Sequence, residues 1–439
     1  MTNLAEILNS FGENGCDFDL NIEKIAKKYK ITHGFVLLVT LSNALRSLGC
    51  FLPSEQKRKY FDPKEAAQKF NNLITKKRAI NRYICPLEYV EKLPNCAFGS
   101  ARIGKFNEQE LFDFFDAKRL ICFNPKDENI IIETIKKYSQ FFWMIFEEDI
   151  ELKDDFMGDW SFQKSKKRLI HQCQFPNNFR KEVAAFLLAP WEDWETNLEE
   201  NAWKFFNIPW VYKVDGNLFV NPRPLPSYEN FVYDIKSYSD SNGKIWEYEV
   251  PLSVDLLKPY IQTLPSFLKE TFEKIDKNLF FGETALFFLI NAYDSDGIYE
   301  FISHITAIEA AIGQKKIIEV DGKNRKNIES ITEKFPIGIT KIVAIRIAGL
   351  FKNVEYYKQY LKLFNLRSNF VHGSDKNKFI EENDKIKARR LARLIITALL
   401  DLNVVNEKKK EVLKKIFEDG ICFLQGNGVD IIEDVEILI

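Results

Sequence analysis

The sequence predicts an α+β fold, a mixed α/β N-terminal region followed by a C-terminal all-α bundle. Three observations carry that expectation. Between Arg78 and Phe106 short β-prone pieces are broken by Pro86, Pro94 and Gly99. Past Pro259 apolar residues recur at three- and four-residue steps almost to the end of the chain. The 439 residues are 46% hydrophobic with a net charge near −1, which supplies ample core and too little charge for disorder.

The elements follow in order. Residues 1–77 read as an N-terminal helical segment: Asp17 to Leu20, before Asn21, caps a helix over Ile22–Lys30, Gly34 to Leu48 is an apolar run, and Asp62-Pro63 opens a helix to Ile74. Residues 78–260 read as a β-rich α+β region. It holds strands up to Phe106, a short helix over Asn107–Phe115, and a run from Ile130 to Glu147 that fits helix or strand. A helix over Asn178–Leu188 follows, then a hairpin over Trp210–Pro222 turning at Asp215-Gly216, and a strand over Ile245–Val254. Residues 261–406 form the helical domain, with helices expected over Leu264–Leu279, Gly282–Ala292, Ile298–Ile312, Asn324–Phe335, Ile339–Phe351, Glu355–Val371 and Lys378–Leu402. Residues 407–439 are expected as a tail packing on that bundle.

Composition narrows the function classes. Near-neutral charge excludes coating of nucleic acid or membrane by bulk electrostatics, though a local basic patch remains open. Seven scattered cysteines, none spaced CxxC, argue against a disulfide framework and a zinc ribbon. Met1 to Ser10 lacks the pattern of a signal peptide, and apolar runs such as Phe35–Val39 are far shorter than the roughly 20 residues that span a bilayer. A cytoplasmic protein with no membrane contact is expected.

Three charges fall on apolar stripes. Glu309 lies among Ile302, Ile305, Ile308 and Ile312; Arg346 among Ile339, Val343 and Leu350; Arg367 among Tyr360, Phe364 and Val371. A lone buried charge is costly, so the economical expectation is a buried Glu309–Arg346 pair that orders the bundle. Arg367 belongs to NLRSNFVHGS, with His372 five residues on and Gly373 as a helix terminator. Ser368 and Asn369 lie four and three residues before His372, on its face of a helix, and the long side chain of Arg367 could reach round to join them. Such a cluster suits phosphodiester transesterification without metal. His372 would move a proton at the ribose 2′-OH or the leaving 5′-oxygen, and Arg367 would hold the phosphate.

The spacing alone is common, and the surrounding residues carry more weight. The stretch from about residue 265 to 405 resembles the ApeA-like branch of the HEPN (higher eukaryotes and prokaryotes nucleotide-binding) domains. The matching pieces are FISHITAIEAAIG with Glu309, the Arg346 helix, and YLKLFNLRSNFVHGSDKN followed by a long amphipathic helix. The family's signature is Arg-x(4–6)-His, met by Arg367 and His372. The resemblance implies an all-α bundle, a homodimer through the HEPN domain with two Arg-His motifs facing each other, and RNA as substrate. It also implies metal-independent endoribonuclease activity in antiphage or abortive-infection defence, without cofactor or metal, and a phage-derived or regulatory trigger. Arg367 and His372 would be catalytic, with Ser368, Asn369, Glu309 and Arg346 supporting. Ser368 stands where many catalytic members carry Asn, Asp or His. The alternative is a non-catalytic HEPN scaffold that binds RNA, nucleotide or a partner protein, with Arg367 as phosphate ligand and His372 as structure.

Other signals are weaker. Lys376, Lys378, Lys387 and Arg390, with Lys385, Arg389 and Arg393 nearby, are candidates for guiding RNA toward His372, or else a solvated helix face. Trp191, Trp194, Trp203 and Trp210 read as core or interface anchors before base-stacking groups. Gly99–Lys105 has GxxxxGK spacing, but Phe106 occupies the Ser/Thr position, so it reads as a chance match. His33, His171 and His304 have no ligand-spaced partners.

Overall fold

The computed structural model of the chain describes residues 4–11, 17–29, 35–90, 92–152, 175–194, 206–239, 244–254, 261–277, 282–313, 338–372, 380–402 and 409–429. The α+β class holds, with the helices concentrated toward the C-terminus. The chain divides into two compact units, one of Met1–Gln174 and Phe206–Val254, the other of Phe175–Phe205 and Asp255–Ile439.

The first unit opens with helices α1 (Leu4–Ser10), α2 (Phe18–Tyr29), α3 (Phe35–Ser47), α4 (Ser54–Tyr60) and α5 (Pro63–Lys76). Asp62 caps α5 by accepting from the Lys64 and Glu65 amides, with Pro63 set in its first turn. Strands β1 (Arg78–Leu87), β2 (Tyr89–Val90), β3 (Cys96–Phe98) and β4 (Ala101–Gly104) follow, then α6 (Glu108–Phe114), α7 (Ala117–Phe123), α8 (Glu128–Tyr138) and β5 (Phe142–Glu151). The run that fitted helix or strand is therefore both in succession. A five-stranded antiparallel sheet has the order β3-β4-β5-β1-β6, β6 being Tyr212–Val214. Central β5 buries successive residues Trp143, Met144, Ile145 and Phe146, as a strand covered on both faces must.

Residues 1–77 are not a separate segment. Leu4, Leu8 and Phe70 share one core with Trp143, Ile145 and Ile84 of the sheet, because α1 and α5 need that apolar surface to bury their own stripes. The expected Trp210–Pro222 hairpin is absent. β6 pairs with β1, Arg82 opposite Val214, and Asp215-Gly216 begins a tight turn laid on the β1 edge. Gly216 N donates to Asn81 Oδ1 (3.1 Å), and a Cβ at Gly216 would collide with the Ile80 backbone. Buried Arg119 locks this turn by donating to the carbonyls of Asp215, Asn217 and Val220 and to Ser47 Oγ. The unit closes with β7 (Tyr233–Ser239), β8 (Ile245–Pro251) and β9 (Ser253–Val254); β7 and β8 pair antiparallel, and β9 runs parallel to β2. The Gly99–Lys105 stretch spans the β3–β4 turn and β4, where no helix opens to cradle a phosphate.

The second unit begins with a segment that the sequence grouped with the β-rich region: α9 (Arg180–Leu187) and α10 (Trp191–Trp194). It continues with α11 (Leu264–Lys277), α12 (Gly282–Tyr293), α13 (Gly297–Ile312), α14 (Ile339–Phe351), α15 (Val354–His372), α16 (Glu382–Asp401) and α17 (Lys409–Gly426). The expected Asn324–Phe335 helix lies outside the described residues. Buried Trp191 and Trp194 meet edge to face at 5.1 Å, while Trp210 stacks on Phe231 in the first unit; Trp203 lies outside the described residues.

The segment 175–194 is tied in by charge as well as packing. Arg393 Nε donates to Glu192 Oε1 (2.6 Å) and its Nη2 to Asp193 Oδ2 (2.6 Å); Arg389 donates to the carbonyls of Leu187 and Ala189. Arg389 and Arg393 are thus buried rather than on a solvated face, because α16 runs through the bundle and α10 supplies the carboxylates.

Helices α14 and α17 cross with backbones nearly touching. A Cβ at Gly349 would overlap the Ile416 carbonyl, and one at Gly420 the Ile345 carbonyl. Gly349→Ala is expected to force the helices apart and lower stability by roughly 1–3 kcal/mol, read from urea unfolding.

Candidate functional site

Helix α15 positions the Arg-His motif. Tyr357, Tyr360 and Leu363 are its buried stripe, and the helix emerges toward its C-terminus, where Phe370 and Val371 are half-exposed and His372, its last residue, is exposed. Ser368 and Asn369 are partly exposed. Five residues of α-helix amount to about 500° of turn and roughly 7.5 Å of rise. Arg367 and His372 therefore sit about 140° apart round the axis.

Arg367 does not reach round to the imidazole. Its Nη1 lies 3.4 Å from Glu309 Oε1 on α13, each side chain 27% exposed, and its guanidinium carbon lies 5.7 Å from the Phe364 ring centroid. Glu309 thus pairs with Arg367, and the expected Glu309–Arg346 pair does not form. Arg346 is fully inside the bundle, where its Nη1 donates to the Ile312 carbonyl (2.7 Å). Lys409 Nζ reaches the Ala310 carbonyl (3.3 Å), so two cations serve the last carbonyls of α13. A helix C-terminus leaves carbonyls without intrahelical donors and carries partial negative charge, which is what draws Arg346 there. Burial pushes the Arg346 guanidinium down to about 10, and burial with the neighbouring Arg346 charge lowers Lys409.

Burial raises the Glu309 carboxyl above its ordinary value of 4.5, and Arg367 pulls it part of the way back. Beneath the pair, the buried Tyr360 hydroxyl has no hydrogen-bond partner among the described residues. Burial and the Glu309 charge drive it well above its ordinary range, with Arg367 opposing. Because folding favours the neutral Glu309 carboxyl, the stability it contributes is full below pH 4.5 and falls as pH rises through the raised value. Glu309→Gln is expected to flatten that decline, measured by urea unfolding from pH 4 to 7.

The basic candidates divide. Arg390 is engaged by Asp193, with Nη2 2.9 Å from Oδ1, and Lys387 is partly exposed on α16. Lys376 and Lys378 lie outside the described residues. His304 is fully buried on α13, 4.0 Å from Glu300 Oε1, so it sits in the core. Among the described residues no group of three His, Cys, Asp or Glu side chains is placed to hold a metal ion, and no helix is long and apolar enough to cross a membrane.

Two groups of residues escaped the sequence reading. Tyr360 was visible only as an apolar-stripe residue, with nothing to mark its hydroxyl. Glu192 and Asp193, which neutralise α16, sit about 200 positions before their partners, and their one signal is the pair of acids inside WEDW. Comparison with family models, curated proteins and solved structures found no match for the chain.

Proposed function

We propose that the second unit is a metal-independent endoribonuclease of the HEPN type, acting in the cytoplasm as an antiphage or abortive-infection effector. The observation that carries the reading is His372 exposed at the end of α15, with a cation five residues earlier oriented by Glu309. In the reaction a base takes the ribose 2′-OH proton, the 2′-oxygen attacks phosphorus, and the bond to the 5′-oxygen breaks as that oxygen is protonated. His372 moves a proton at one of these two oxygens, since its ring nitrogens can both accept and donate one. Arg367 stabilises the extra charge on the pentacoordinate phosphate.

The angular separation of Arg367 and His372 on one helix supports a site completed by a second copy. A homodimer sets His372 of one chain against Arg367 of the other, and the half-exposed Phe370 and Val371 beside His372 suit such a face. RNA is the substrate partner, and a phage-derived or regulatory signal the trigger.

One observation favours the second reading, a non-catalytic HEPN scaffold: the Arg367 guanidinium is already engaged by Glu309. Incubation of the purified protein with total RNA in EDTA separates the two. Cleavage in EDTA is the expected result; cleavage that requires added divalent metal would contradict the proposal.

A further inference from the structure

We propose that the first unit carries a binding site for a small phosphomonoester of mononucleotide size, in the cleft between α5 and the start of β1. The inference is independent of the nuclease reading, since every residue it uses lies in the other unit.

The cleft encloses about 480 Å³, within the size range of small-molecule sites. Glu65, Lys69, Asn72 and Lys76 recur at four-, three- and four-residue steps on α5, so one face of that helix supplies a polar wall. Six cationic side chains face four carboxylates around the cleft. Two of the cations have structural work: Arg119 holds the 215–220 turn, and Arg82 Nε is 2.7 Å from Glu147 Oε1. Asp62 is turned to the α5 amides, and Asp116 lies 4.0 Å from Arg119.

Lys69, Lys76, Lys118 and Arg78 remain, against Glu65 and Asp149. Glu65 bridges Lys69 and Lys118, 2.8 Å to each, which leaves one positive charge beyond what the carboxylate neutralises. Arg78 meets Asp149 at 3.4 Å through side chains 66% and 58% exposed, a pair weak enough to open for a better acceptor. Lys76 is exposed at the end of α5 and makes no ion pair with a described residue. The surplus is two positive charges, and a phosphomonoester carries about −1.5 to −2 near neutrality. The uncharged lining mixes polar Ser47 and Asn72 with apolar Leu73, Leu218 and Ile80, the last a β-strand residue left half-exposed. That surface fits the face of a nucleobase beside the phosphate, which distinguishes a nucleotide from a bare sugar phosphate.

The test is isothermal titration of the full chain at low salt with AMP and GMP, with adenosine, guanosine and inorganic phosphate as references. A nucleotide is expected to bind at least tenfold more tightly than its nucleoside and than inorganic phosphate. Lys69→Glu and Lys76→Glu should each lower nucleotide affinity at least tenfold. Lys76 is exposed and makes no ion pair with a described residue, so Lys76→Glu should keep the wild-type unfolding midpoint and separates lost binding from lost folding. Equal binding of nucleoside and nucleotide, binding of phosphate alone, affinity unchanged in Lys76→Glu, or no binding of either nucleotide at millimolar concentration would overturn the assignment.

Discussion

His372→Ala should lower RNA cleavage by about 10²–10⁴-fold while leaving the unfolding midpoint unchanged. The rate loss follows from removing a positioned general acid or base, whose contribution is of that order. The unchanged midpoint follows from exposure: His372 ends α15 in solvent, so truncation opens no cavity. Arg367→Ala should also slow cleavage, but it strips Glu309 of its counter-charge and so changes stability as well. The pairing of the two variants is therefore informative. Loss of cleavage in His372→Ala at full stability marks a chemical role, which loss in Arg367→Ala alone does not. Cleavage unchanged in His372→Ala would remove the catalytic reading.

Glu192→Ala should produce the largest loss of stability, about 3–5 kcal/mol in urea unfolding, as expected when one member of a buried ion network is removed. Glu192 is 2% exposed and meets Arg393 at 2.6 Å and Arg389 at 3.7 Å. Burial works against its charged form, yet Arg389 and Arg393 together hold the carboxyl below its ordinary value. Burial conversely pushes the Arg389 guanidinium down to about 10, so each partner depends on the other. Without Glu192, two arginines remain buried with the Asp193 carboxylate against Arg393 and the Glu300 and Asp193 charges acting on Arg389, and the segment carrying α9 and α10 loses a tether to α16. Glu192→Gln should cost less, since it retains the shape and one hydrogen bond to Arg393. A loss below 1 kcal/mol in Glu192→Ala would mean that packing around Trp191 and Trp194 alone secures the segment.

The second unit was largely legible in the sequence. Helices over Ile339–Phe351 and Gly297–Ile312 fall within a residue of expectation, because their apolar stripes face one core and little else competes. The same stripes show that Glu309, Arg346 and Arg367 are drawn inside, but a stripe does not name a partner. Arg346 goes to the open carbonyls at the end of α13, a demand that appears only once α13 and α14 are packed. The boundary between units was harder to read. Composition shifts near residue 260, yet the chain has already visited the second unit at 175–205 and left it again, and no local signal marks that excursion. The Asp215-Gly216 turn was misread as a hairpin because turn chemistry is local. Phe219, within the run after the turn, packs in the core and is not part of a strand. Strand β7 went unnoticed because YDIKSYS is exposed along almost its whole length and shows no apolar alternation.

The central claim is a transesterifying Arg-His site, and the chemistry of the cut ends tests it most directly. Ribose attack leaves a 2′,3′-cyclic phosphate on one fragment and a 5′-hydroxyl on the other, while metal-assisted water attack at phosphorus leaves a 3′-hydroxyl and a 5′-phosphate. Mapping the termini of RNA cut by the wild-type chain in EDTA, beside His372→Ala, should find cyclic-phosphate and 5′-hydroxyl ends from the wild type and essentially none from the variant. Ends bearing a 5′-phosphate, or cyclic-phosphate ends made equally well by His372→Ala, would contradict it.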